Sequence, residues 1–99
     1  KLPVEKEYAR HNYHLFVIRT PQRDNLRNWL ESKGIMTNIH YPVPIHLQKA
    51  YRDLGLKKNS FPVTEKIAGE ILSLPIFPEL RYEEIEKISE AIYRFEKYR

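Results

Sequence analysis

Apolar residues recur along this chain with two different periods, and the changes of period predict its elements. His14-Leu15-Phe16-Val17-Ile18-Arg19 is apolar and β-branched enough to predict a strand buried on at least one face. Thr20-Pro21 punctuates it, since Thr suits an N-cap and Pro suits the first helical position. Leu26, Trp29 and Leu30 then recur at helical spacing, opposite Arg23, Asp24, Arg27, Asn28 and Glu31. With Gly34 as the C-cap, this predicts a helix from about Pro21 to Lys33. Ile35, Thr37 and Ile39 alternate with Met36, Asn38 and His40, which predicts a second strand over 35–41, stopped by Pro42. Tyr41-Pro42-Val43-Pro44-Ile45-His46 reads as a loop stiffened by two fixed φ angles, and 46–51 as a short helix that Gly55 helps end. After the polar connector 57–60 come a helix from Pro62 to about Leu72 and a brief strand over 72–75, with a turn bracketed by Pro75 and Pro78. The last helix is predicted from about Tyr82 to Lys97, with Ile85, Ile88, Ile92 and Phe95 toward the core.

Residues 1–12 show no clear period and read as a lead-in, leaving 13–99 as one domain. Strands interspersed with helices that each have one apolar stripe give an α+β class, two layers, with a small sheet and helices packed on one face. A chain of 99 residues is close to the commonest size of a single domain, so one core is expected. It opens Lys1-Leu2-Pro3-Val4-Glu5-Lys6, without an initiator Met, which reads as mid-protein sequence.

Composition removes several function classes. With no cysteine there is no disulfide framework, thiolate zinc site or Cys nucleophile, and a reducing, cytoplasmic setting is the expectation. No apolar run approaches the ~20 residues that span a bilayer, so no membrane partner is expected. The net charge of +4 raises the question of a nucleic-acid partner. However, Glu83, Glu84, Glu86, Glu90 and Glu96 are interleaved with Lys87, Arg94, Lys97 and Arg99 on one helix, the pattern of a solvated face. A basic nucleic-acid module would instead cluster its charges and expose strand aromatics, whereas Phe16 and Val17 belong to a core strand.

Candidate chemistry concentrates in residues 37–48, where His40, Tyr41 and His46 stand with Asn38 and Gln48 on a strand end and a rigid loop. Loops held by a scaffold are where ligand contacts gather, and imidazole and phenol offer hydrogen bonds to phosphates or hydroxyls. From the residues alone, a purely structural loop, with Tyr41 packed and the prolines ending a strand, is the better reading of this stretch. A metal site is not expected, because two prolines separate the two histidines and no third ligand accompanies them. His11 and His14 suit strand-edge roles. No catalytic constellation stands out: the glycines are dispersed, Glu83 and Glu84 diverge on a helix, and Ser73 has no GxSxG elbow. The lysines all lie in polar, charge-rich contexts, unlike the desolvated setting of a Schiff-base lysine.

The ordered series of motifs resembles a known family. Gly34-Ile35, Thr37-Asn38-Ile39-His40-Tyr41-Pro42-Val43-Pro44-Ile45-His46-Leu47-Gln48, Ala50-Tyr51 and Leu54-Gly55 are followed by Phe61-Pro62-Val63-Thr64-Glu65, Ala68, Glu70-Ile71-Leu72-Ser73-Leu74-Pro75 and Pro78-Glu79-Leu80. With Tyr13 to Arg19 and Arg23 to Leu26, they resemble the C-terminal region of the DegT/DnrJ/EryC1/StrS aminotransferases over about residues 11–98. The resemblance implies the small domain of the aspartate-aminotransferase fold, with a mostly antiparallel sheet. It further implies a homodimeric parent enzyme dependent on pyridoxal 5′-phosphate (PLP). Such enzymes move an amino group, commonly from glutamate, to a nucleotide-linked keto sugar for polysaccharide or amino-sugar synthesis. The cofactor would belong to a large domain not included in this chain, so the chain alone is expected to be inactive. By the same resemblance His46, with Tyr41 and His40, would help wall the substrate cleft. Arg81 departs from the helix-capping Thr or Ser common in the family, which bears on stability. A regulatory or scaffolding domain that kept this fold without catalysis is the alternative.

Overall fold

A computed structural model describes residues 1–98; Arg99, the end of the predicted 13–99 unit and of its mixed-charge helix, lies outside the described residues. The elements in chain order are β1 (Phe16–Arg19), α1 (Arg23–Ser32), two short 3-10 turns (Ile45–Leu47 and Lys49–Leu54), α2 (Pro62–Glu70), β2 (Ile71–Leu74) and α3 (Tyr82–Tyr98). β1 and β2 pair antiparallel in the register Phe16↔Leu74, Val17↔Ser73, Ile18↔Leu72 and Arg19↔Ile71. Side chains alternate across a sheet, so Ile18 and Leu72 share one face while Val17 and Ser73 share the other. The first face is the core: Ile18 and Leu72 are buried with Leu26 and Leu30 of α1, Ile35, and Ile88 and Ala91 of α3. Helices therefore cover one side of a small sheet, in two layers, as the sequence predicts. The indole Nε1–H of Trp29 donates to the Ala91 carbonyl at 2.8 Å and ties α1 to α3.

The ends of α1 divide expectation from outcome. Its C-terminus forms as predicted. Gly34 takes a left-handed φ of 74°, its N–H bonds the Glu31 carbonyl, and the Ile35 N–H reaches back to Leu30, both at 2.9 Å. This is the double closure of a Schellman motif, with buried Ile35 following buried Leu30 in the core. Its start is different. The Thr20 hydroxyl accepts the Gln22 N–H at 3.2 Å, which makes a turn of Thr20-Pro21-Gln22 and delays the helix to Arg23.

The predicted strand over 35–41 shrinks to one bridge, Asn38↔Ser73, on the free edge of β2. The Schellman closure uses the Ile35 N–H at one end, and Pro42 has no N–H to offer at the other. In the middle, the Asn38 side chain takes the Ile39 N–H at 2.8 Å and competes with ladder bonding. The short helix predicted over 46–51 is instead two 3-10 turns, because Gln48 between them is extended, with φ −74° and ψ 143°. α2 passes into β2 without a loop, its helix ending two residues and the strand beginning one residue earlier than predicted, and Pro62 occupies its first turn. On α3, Ile88 is buried and Ile92 and Phe95 pack against the core as predicted, whereas Ile85 is exposed and Ala91 is buried in addition. The lead-in also contributes: the Arg19 N–H donates to the Lys1 carbonyl at 2.9 Å.

Candidate functional site

The sheet face opposite the helices carries the site. Ser73, in the middle of β2, is only 5% exposed although it points away from the core face, and its hydroxyl meets His40. His40 Nδ1 lies 2.8 Å from Ser73 Oγ, and Nε2 lies 3.4 Å from Asn38 Nδ2. The Asn38↔Ser73 bridge supports this arrangement through two backbone bonds, of 2.7 and 3.1 Å. His14, Met36, Thr37, Asn38, His40 and Ser73 line an open cleft of about 350 Å³. Tyr41 follows His40 through a cis peptide, sets its ring edge-on to the imidazole at 5.3 Å, and is 71% exposed. It belongs to a neighbouring, more apolar groove with Val43, Ile45, Ile67 and Ile71.

His46 is placed differently from the other two candidates. It is buried, its ring stands edge-on to Phe61 at 4.9 Å, and its Nε2 lies 2.9 Å from Glu65 Oε1. An ionised carboxylate only accepts, so Nε2 carries the proton and donates. Glu65 also takes the Asn59 N–H at 2.8 and 3.0 Å and the Phe61 N–H at 3.4 Å. The Asn59 N–H first, and the His46 ring second, hold the Glu65 carboxyl below its ordinary value of 4.5. His46 thus pins the loop to the start of α2, and of the three candidates only His40 lines the cleft beside Ser73.

Sequence reasoning passed over two of these residues. Ser73 was set aside for lacking a nucleophile elbow; its signal is a lone hydroxyl between Leu72 and Leu74 in an apolar strand. Glu65 stands in the sequence only as part of the Phe61–Glu65 motif, with no role of its own; its signal is an acidic first-turn position in a helix entered through a proline. His14, predicted for a strand edge, also lines the cleft. His11 caps its own neighbourhood, with Nδ1 accepting the Tyr13 N–H at 2.7 Å. Among the described residues no three His, Cys, Asp or Glu side chains gather where a metal ion would sit. No described helix is long and apolar enough to cross a membrane.

Comparison with known proteins gives this geometry its context. The chain is 49% identical over 87 residues to the erythromycin biosynthesis sensory transduction protein EryC1 of Saccharopolyspora erythraea, covering 88% of this chain and 24% of that protein. It is 42% identical over 94 residues to dTDP-3-amino-3,6-dideoxy-alpha-D-galactopyranose transaminase of Aneurinibacillus thermoaerophilus, covering 95% of this chain and 25% of that enzyme. The fold superposes on the crystal structure of S. venezuelae DesV in complex with a ketimine intermediate, with a TM-score of 0.91 and 39% identity, over 95% of this chain and 25% of DesV. The chain therefore spans about a quarter of the length of these relatives. Residues 1–93, from the lead-in through most of α3, match one family model, and the chain belongs to the DegT/DnrJ/EryC1/StrS aminotransferase family.

Proposed function

We propose that this chain is the small domain of a PLP-dependent aminotransferase that transfers an amino group, from glutamate, to a nucleotide-linked keto sugar. The observation that carries the reading is family membership over residues 1–93 together with a half-buried histidine and an exposed tyrosine on a rigid loop beside an open cleft. Relatives named as dTDP-sugar transaminases support the substrate class.

PLP, when bound, supplies an electron sink for amino transfer. The residues of this chain do not fit its anchorage. All nine lysines are exposed, where a Schiff-base lysine needs desolvation, and no glycine-rich turn offers a phosphate cradle. The cofactor would be held by a large domain, and the parent would act as a homodimer in which this domain closes one wall of the cleft. His40 and Tyr41 contact the nucleotide sugar, and His46 acts through the loop that it fixes to Glu65. The name of the EryC1 relative favours a second reading, a regulatory protein of the same fold.

Assay of the full-length protein with glutamate and dTDP- or UDP-linked keto sugars separates the two readings. Turnover is expected, with Tyr41→Phe and His40→Ala each raising KM and leaving the cofactor absorbance intact. A full-length protein without a cofactor lysine, or one inert toward every such sugar, refutes catalysis and supports regulation.

A further inference from the structure

The His40 ring is addressed at both nitrogens, and its two partners differ in kind. Asn38 Oδ1 accepts the Ile39 N–H at 2.8 Å, which fixes the amide so that its NH₂ is the end facing His40. An amide nitrogen only donates, so His40 Nε2 is the acceptor of the 3.4 Å contact. A neutral imidazole carries one N–H, and with Nε2 bare that proton sits on Nδ1 and is donated to Ser73 Oγ at 2.8 Å. Ser73 is a fixed partner: it is buried in β2, and its backbone N–H and carbonyl are both bonded to Asn38. One bridge between two residues thus carries both groups that orient the ring.

We propose that Asn38 and Ser73 are positioning residues that hold His40 as the neutral Nδ1–H tautomer, so that its Nε2 lone pair acts as a hydrogen-bond acceptor in the cleft. At 3.4 Å the Asn38 contact is long, and it leaves that lone pair weakly engaged. The matching ligand group is a donor, a sugar hydroxyl rather than a phosphate oxygen, which only accepts. This ligand assignment rests on the substrate reading above; the tautomer assignment does not.

The test reads the tautomer directly by long-range proton–nitrogen NMR of the histidine-labelled 99-residue chain, at a pH above the ordinary histidine range. His40 is expected as the Nδ1–H form. Ser73→Ala removes one hydrogen bond and shifts the tautomer ratio toward Nε2–H roughly three- to tenfold. Asn38→Asp places an acceptor opposite Nε2 and inverts the preference, which gives a second route should Ser73→Ala fail to fold. A wild-type His40 in the Nε2–H form, or a ratio unmoved by either substitution in a folded chain, overturns the proposal.

In the full-length enzyme, Ser73→Ala is expected to raise KM for the keto sugar about three- to tenfold, with kcat held. A shifted tautomer with unchanged KM overturns the acceptor role. Absence of turnover in the wild type sinks the transaminase reading instead and leaves the tautomer result intact.

Discussion

The same chemical change, glycine to alanine, is expected to have opposite signs at two positions, and the pair tests how α1 ends. Gly34 holds φ at +74°, and a Cβ built there meets nothing within 4 Å, so the penalty for alanine is conformational and not steric. An L-residue in the left-handed region costs roughly 1–2 kcal/mol, and alanine returns about 0.4–1 kcal/mol by restricting the unfolded chain. The net expectation for Gly34→Ala is a loss of about 1 kcal/mol. Gly69 lies within α2 and likewise has open space around an added Cβ, but its backbone is helical. There alanine is the better residue by about 0.5–1 kcal/mol. In a domain of this size each kcal/mol moves the melting midpoint by about 4–8 °C, so the two variants should straddle the wild type with a separation of about 6–16 °C. Urea unfolding followed by far-UV circular dichroism, with m unchanged, converts those shifts into stability. Two variants moving together would mean that alanine acts mainly on the unfolded chain. A Gly34→Ala protein as stable as the wild type would remove the left-handed closure from the account.

Two further outcomes follow from the way polar groups are satisfied. The Asn59 N–H and the His46 ring lower the Glu65 pKa, so its contribution to stability is present above its ordinary value of 4.5 and is lost as pH falls through the lower folded value. Glu65→Gln is therefore expected to be less stable than the wild type at neutral pH, with the gap closing on acidification; a constant gap down to about pH 3 in denaturant midpoints would contradict this. At the start of α3, Glu84 Oε2 accepts the Arg81 N–H at 2.9 Å and pairs with the exposed Arg81 guanidinium at 3.4 Å, while the Glu84 N–H turns back on the Arg81 carbonyl at 3.0 Å because Arg81 has no short hydroxyl to receive it. Arg81→Ser completes the capping box and should stabilise the domain by about 0.5–1 kcal/mol in thermal melts, whereas an unchanged or lowered midpoint counts against it.

What the sequence revealed depended on how local the cause was. α1 and α3 were legible because one apolar stripe and one glycine, or one stripe alone, determine each. The α2–β2 junction was legible to within two residues: Ile71 and Leu72 continue the helical apolar spacing of Ile67 and Ala68, so the helix reads on past Glu70 although both residues belong to β2. The 35–41 segment was not, although it alternates correctly. Alternation reports which side a residue faces and says nothing about whether its amide finds a ladder partner, and Asn38 spends its own side chain on the Ile39 amide. The start of α1 failed for a similar reason: Thr20 is a good capping residue, but its hydroxyl closes a turn first.

The site was legible as a stretch and illegible in its division of labour. His40 and His46 share one sequence signature, a histidine beside prolines on a short loop. What separates them lies far along the chain: Ser73 is 33 residues from His40, and Glu65 is 19 residues from His46. Each imidazole gives one nitrogen to the scaffold, but the environments differ. His46 is buried, and the carboxylate it meets also gathers the Asn59 and Phe61 amides, so its bond organises the chain around it. His40 is half-buried, meets a neutral hydroxyl, and retains at Nε2 a lone pair held only by a long contact. Pro42 and Pro44 stiffen the span between them, so the His46–Glu65 anchor at one end restricts where His40 can sit at the other. On the proposed function the loop needs both histidines for different reasons: burial makes His46 a clamp, and the half-buried His40 and exposed Tyr41 are the groups proposed to meet the ligand.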